Sequence, residues 1–206
     1  MTLDSKNLYT YLCNLGGSLG TDKSPLNAQG HRHPYTAAYS LLFSAYRFQP
    51  VRFAEIGIAM GASAAMWSYF FNEGEIFMFD SDTNFIQNCR SYNLPRVHCN
   101  QMDVFKESSI RSALEAIGGK LDILLDDSTH GIDDQIRIIK EAIPFIRPGG
   151  MIVIEDVFRT TSEQEYEKRL EPYLDAFSFC TFITTEHDQK FSGTWNNDKL
   201  LVLIKK

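Results

Sequence analysis

The chain has 206 residues, with 20 Lys and Arg against 26 Asp and Glu and a net charge of −6 at pH 7. That length supports one domain or slightly more, with a core that needs no disulfide or metal staple, and the acidic balance excludes a duplex-binding scaffold, which gathers phosphates with a positive field. A hydrophobic share of 44% beside 22% charged residues excludes disorder and repeat arrays.

The N-terminal stretch MTLDSKNLYTYLCNLGGSLGTDK lacks the basic start and apolar run of a secretory signal, and no stretch reaches eighteen apolar residues. Residues 1–50 are read as a helical cover or lid outside the sheet, and residues 51–206 as the main domain. From residue 51 on, short apolar runs alternate with segments of helical period, the pattern of crossover βαβ units. Strands are expected at 51–56, 75–79, 96–99, 121–125 and 151–154, and helices at 62–71, 83–91, 106–117 and 132–146. Asp82 and Ser108 read as N-caps, while Gly118-Gly119 and Pro148-Gly149-Gly150 read as breaks. A further helix at 161–175 opens on a capping box from Ser162 to Glu165. Strands at 177–185 and 199–204 then flank a polar loop long enough for an antiparallel return. The expected fold is α/β, a doubly wound sheet of seven strands with one reversed.

Cys13, Cys89, Cys99 and Cys180 form no CxxC pair and stand at no metal-ligand spacing from histidine, so neither a zinc site nor a disulfide framework is expected. A reducing, cytoplasmic setting fits that usage.

The most informative local feature is FAEIGIAMGAS, where Glu55, Gly57, Gly61 and Ser63 follow one apolar strand and open a helix. Glycines there let backbone approach a ligand and leave free helix N–H groups facing it. Ala59 stands where a dinucleotide fingerprint needs its second glycine, which disfavours a pyrophosphate. Asp80 ends the next strand, where a carboxylate can accept both hydroxyls of a ribose. A nucleoside without a pyrophosphate satisfies both observations. Asp103, after the third strand, either accepts from an adenine amine or caps the following helix.

The fourth strand ends in Asp126-Asp127-Ser128-Thr129-His130 and the fifth in Glu155-Asp156. If those strands are neighbours, four carboxylates meet at one edge, and either their pKa values rise or a cation such as Mg²⁺ neutralises them. His130, near a helix start whose macrodipole lowers its pKa, reads as a neutral general base or as a surface histidine. Asp133 and Asp134 read as first-turn acids. His31, His33, Tyr35 and Tyr39 crowd the N-terminal segment, either beneath a substrate lid or as plain structure, and Phe191 and Trp195 flank the C-terminal loop.

With these pieces in order the chain resembles class I S-adenosylmethionine-dependent methyltransferases, in particular the metal-dependent macrolide-sugar O-methyltransferases of mycinamicin and macrocin type and the cephalosporin-hydroxylase-like group. The resemblance rests on GTDK at 20–23 with His33-x-Tyr35-x-x-x-Tyr39, AEIGIAMGASAAMW at 54–67, MFDSD at 78–82, LDILLDDSTH at 121–130 and RPGGMIVIEDV at 147–157. It implies a Rossmann-like sheet of strand order 3-2-1-4-5-7-6 with strand 7 antiparallel. It further implies that Glu55, Gly57, Gly61 and Ser63 hold the methionine part of S-adenosylmethionine, with Asp80 on the ribose, Asp103 on the adenine and Asp126 shaping the pocket. Asp127, Glu155 and Asp156 would be Mg²⁺ ligands, Asp127 thereby serving catalysis, and His130 the base. The family usually reads DDGSH, and Ser128-Thr129 replaces Gly-Ser here.

The implied partner is a small-molecule acceptor: a sugar, another vicinal diol, a phenol or a carboxylate. No nucleic acid or membrane is implied, and homo-oligomers are common among related enzymes. Alternatives left open are a metal-free methyltransferase esterifying a carboxylate, a nicotinamide oxidoreductase and a non-catalytic nucleoside-binding module.

Overall fold

The computed structural model describes residues 1–193 and 196–206; Trp195 therefore lies outside the described residues. Eight strands of the described chain form one mixed sheet: β1 (Thr2–Asp4), β2 (Arg52–Ile56), β3 (Glu75–Asp80), β4 (Val97–Gln101), β5 (Leu121–Asp126), β6 (Ile146–Ile154), β7 (Phe177–Glu186) and β8 (Lys199–Lys205). Their order is β1-β7-β8-β6-β5-β2-β3-β4. Strands β2 to β6 run parallel, and β8 runs antiparallel to both β6 and β7. Apart from β1, this is the expected seven-strand order with its reversed last strand.

The exception corrects the reading of residues 1–50 as lying wholly outside the sheet. Thr2, Leu3 and Asp4 pair in parallel with Thr184, Thr185 and Glu186, so the chain contributes its own edge strand before it becomes a cover.

Helices α1 (Tyr11–Leu19), α2 (Tyr35–Phe43), α3 (Ala62–Phe70) and α4 (Thr83–Ser91) lie on one face, and α5 (Glu107–Glu115), α6 (Ile132–Ala142) and α7 (Glu163–Leu170) on the other. Strand alternation sorts the apolar side chains between them. Phe53, Ile123, Leu125 and Val153 pack with Phe43 and Trp67, whereas Ala54, Leu124, Ile152 and Ile154 pack with Ile138, Ile139 and Tyr166. Each fully buried Leu, Ile or Phe stabilises by about 1.5–3 kcal/mol. Because both faces are covered, a slip in register is penalised twice.

Local signals account for most boundaries. Asp82 caps α4 by accepting from Asn84 N at 2.7 Å, and Ser162 caps α7 by accepting from Glu165 N at 3.2 Å. Pro172 cannot continue an α-helix, so the expected helix 161–175 divides into α7 and a 3₁₀ turn, Glu171–Ala176. Ser108 is not a cap, because α5 begins at Glu107 with Lys106 in the cap position; Ser109 Oγ accepts instead from Asp103 N at 2.9 Å. Pro148-Gly149-Gly150 does not precede the fifth parallel strand but lies within β6, where the pairing jumps from Leu121–Ile146 to Ile123–Met151. No described helix is long and apolar enough to cross a membrane.

Candidate active site

Period-two alternation places Glu55, Asp127 and Glu155 on the α1–α3 side at the carboxyl ends of β2, β5 and β6, which are neighbours in the sheet. Into this cluster the turn between α1 and α2 inserts Lys23, whose side chain is only 2% exposed. Its Nζ donates to Glu155 Oε2 at 2.7 Å and to Asp127 Oδ2, and lies 3.2 Å from Glu55 Oε1. Burial alone would push the ammonium towards its neutral form. Asp127, Glu155 and Glu55 outweigh that, and Lys23 is held well above its ordinary pKa. One ammonium does not neutralise three carboxylates, so burial raises Glu55 to about 7 and moves Asp127 and Glu155 upward as well.

Tyr39 donates to Glu155 Oε1, and Tyr35 OH stands 2.7 Å from Asp156 Oδ1. One turn apart on α2, the two tyrosines share a helix face, and burial beside carboxylates raises both so that they remain donors. Asn197 Nδ2 also donates to Asp156 Oδ1, at 2.8 Å. Gln135 Nε2 donates to the Glu155 carbonyl at 3.0 Å.

The second oxygen of Asp156 lies 3.0 Å from His130 Nδ1. Both residues adopt left-handed backbone, φ 54° and 59°. Such conformations cost about 1–3 kcal/mol each and persist where the surroundings over-determine them. Here they bring ligand-type atoms of Asp127, His130 and Asp156 within 4.8 Å of one another. The three acids expected around a cation are therefore divided: Asp156 and Asp127 lie near His130, Glu155 is engaged by Tyr39, and Lys23 donates to both Asp127 and Glu155. The expectation of a lowered His130 pKa is corrected. Burial does push it down, but Asp156 at Nδ1, with Asp127 and Asp126 nearby, lifts it above its ordinary value.

A cleft of about 530 Å³ runs along this edge. Asp127, Ser128 and Thr129 line one end with Lys23 and His31; Asp80, Asp103 and Phe105 line the other. Between them the Gly57 turn forms a cradle: its φ is 102°, and a Cβ there would stand 2.1 Å from Asp127 O. Ala59, where a fingerprint glycine is missing, nevertheless takes left-handed backbone at φ 45°. Gly61 (φ 83°) opens α3, and Ser63 on its first turn lines the cleft. Asp80 accepts from Ile58 N and Asp82 N, both at 2.9 Å, and so fastens the turn to the start of α4. Asp103 accepts from Phe105 N at 3.0 Å and from Lys106, whose proximity lowers its pKa. Asp126 falls at the alternate strand position and does not line the cleft; Ser128 Oγ donates to it at 2.6 Å, and burial raises it to about 7.

A family model described as a methyltransferase domain matches residues 54–157, and the chain belongs to that family. Among curated proteins, the 8-demethyl-8-alpha-L-rhamnosyl tetracenomycin-C 2'-O-methyltransferase of Streptomyces olivaceus is 33% identical over 132 residues, 61% of this chain and 33% of that protein. The mycinamicin VI 2''-O-methyltransferase of Micromonospora griseorubida is 31% identical over 157 residues, 69% of this chain and 37% of that one. The chain thus spans about a third of the length of these relatives. Among solved structures, the MycE methyltransferase of the mycinamycin pathway, in complex with Mg, SAH and mycinamycin VI, superposes with a TM-score of 0.72 at 23% identity, covering 95% of this chain and 54% of that one. At that identity the likeness is one of fold.

Proposed function

We propose that this domain is an S-adenosylmethionine-dependent O-methyltransferase acting on a sugar hydroxyl of a natural product, with a divalent cation at the acidic end of its cleft. The observation that carries the reading is one continuous cleft running from the Gly57–Asp80 turn to Asp127, whose carboxylate in turn lies within 4.8 Å of ligand-type atoms of His130 and Asp156. The acceptor class is supported by relatives named for O-methylation of rhamnosyl tetracenomycin-C and mycinamicin VI. The ion and cofactor are supported by the Mg and SAH of the MycE complex and by the hard carboxylate oxygens of Asp127 and Asp156.

In this reading Glu55, Gly57, Gly61 and Ser63 receive the amino-acid part of the cofactor, Asp80 the ribose and Asp103 the adenine end. Asp126 acts at one remove, through Ser128. Asp127 and Asp156 hold the cation with Glu155 beside them. When bound, the cofactor supplies an electrophilic sulfonium methyl and the cation acidifies an acceptor hydroxyl. Asp156 orients the His130 ring through Nδ1, and Nε2 would accept the proton that the acceptor hydroxyl gives up when the methyl passes from the sulfonium sulfur to its oxygen. The cleft walls align acceptor and methyl, which contributes through orientation alone.

A second reading is favoured by Lys23: its ammonium already neutralises part of the acidic cluster, as a metal-free methyltransferase needs. Calorimetric titration of chelator-treated protein with S-adenosylhomocysteine, followed by methyl transfer to a rhamnosylated acceptor with and without Mg²⁺, separates the two. Mg²⁺-dependent transfer supports the first reading, and transfer that survives chelation supports the second. Failure to bind S-adenosylhomocysteine overturns both.

A further inference from the structure

Two of the three carboxylates assigned above to a divalent cation already share a donor. Lys23 Nζ donates to both Asp127 and Glu155, and its third neighbour is Glu55. The ammonium is held in place by its chain. Thr36 N donates to Lys23 O at 3.0 Å, His33 N donates to Asp22 O at 2.6 Å, and Ser24 Oγ donates to Cys13 O at 2.7 Å, so the turn is pinned to α1 and α2 on both sides of Lys23. With its side chain 2% exposed, Lys23 has no solvent to retreat into without leaving a buried charge unpaired, which is strongly unfavourable.

We propose that Lys23 is the resident counter-ion of this site and competes with the divalent cation for Asp127 and Glu155. The inference rests on the divalent-cation reading given above. Without the ion, the ammonium keeps three strand ends and the N-terminal turn assembled. With it, two cations share one set of carboxylates in a medium of low effective dielectric and repel. The ion is therefore held less tightly than the carboxylates alone would hold it. A merely structural Lys23 makes the opposite prediction: its removal would loosen the carboxylates and weaken the ion.

The test is calorimetric titration of the full chain with Mn²⁺, after chelation, for the wild type, Lys23→Met, Lys23→Gln and Lys23→Arg. The neutral variants are expected to bind Mn²⁺ about tenfold or more tightly than the wild type, about 1.4 kcal/mol. Their melting temperatures, lowered in chelator, are expected to rise further on Mn²⁺ addition than that of the wild type, because an ion that binds the native state stabilises by mass action. Lys23→Arg keeps the charge and is expected to keep the weaker wild-type affinity. Should Lys23→Met fail to fold, Lys23→Gln, which retains hydrogen-bond donors without the charge, carries the test. Equal or weaker Mn²⁺ binding in the neutral variants, with binding by the wild type, overturns the role of Lys23 alone. Absence of Mn²⁺ binding in wild type and variants alike overturns the cation reading and this inference with it.

Discussion

His33 Nδ1 and Asp198 Oδ1 meet at 2.8 Å in the interior and tie the N-terminal cover to the segment entering β8. Burial alone would lower the His33 pKa, but the bond to Asp198, with Asp156 nearby, raises it; burial would raise Asp198, but His33 holds it below its ordinary value. A raised histidine contributes stability that is complete below its unfolded pKa near 6.5 and lost as pH rises through the folded value. A depressed carboxylate contributes above about 3.8 and loses it as pH falls through the folded value. The pair is thus strongest between those limits. Denaturation from pH 4 to 8 should show a wild-type contribution of about 1.5–3 kcal/mol that declines above pH 6.5. His33→Gln should reduce that decline and leave the share that the raised His130 contributes; an identical pH profile in the variant would reject the pair as a source.

Gly57→Ala tests the cradle. The substitution adds a left-handed non-glycine residue, about 1–2 kcal/mol, to a 2.1 Å overlap with the Asp127 carbonyl. S-adenosylhomocysteine affinity should fall more than about tenfold. Gly118→Ala, at φ 72° with open space around the new methyl, isolates the backbone cost and should leave that affinity alone.

Asp80 fastens the turn as well as being the proposed ribose acceptor, since its two oxygens accept from Ile58 N and Asp82 N. Asp80→Ala orphans both donors and is expected to cost about 1–3 kcal/mol of stability as well as cofactor affinity. Asp80→Asn keeps one acceptor and should fall between. An unchanged S-adenosylhomocysteine dissociation constant in Asp80→Ala would remove the ribose assignment.

For His130 the expected readout is the pH–rate profile. Replacement by Gln should lower kcat by about 10²–10⁴-fold. In the wild type the rate should rise with pH as His130 loses its proton, since the proposed base works only when neutral; without the cation its carboxylate neighbours hold it above its ordinary value. Asp156→Asn removes the neighbour at Nδ1 and should move that limb to lower pH. A limb that stays in place would show that another group titrates.

The strands and their carboxyl-terminal acids were legible because apolar runs of five or six residues follow local rules, and the sheet order was legible through the family resemblance. The cation demanded by those acids was legible too, as a matter of charge. Its first source was not: Lys23 lies 104 residues from Asp127 and 132 from Glu155, and no local pattern marks a pairing of that range. The crowding of Tyr35 and Tyr39 in the N-terminal segment was legible, yet only the placement of α2 shows that the two share a helix face and that this face meets Glu155 and Asp156. Strand β1 escaped because three residues carry no periodicity to read.

Glu55, Asp127 and Glu155 stand on one face because their strands pair in a single register. A strand displaced by one residue would turn its acid towards the neighbourhood of Leu124, Ile154 and Tyr166 and withdraw an acceptor from Lys23. Misassembled sheets would then carry uncompensated charge in their interior. The ionic cluster thereby adds a penalty of buried charge to misaligned pairings, beyond the loss of apolar packing.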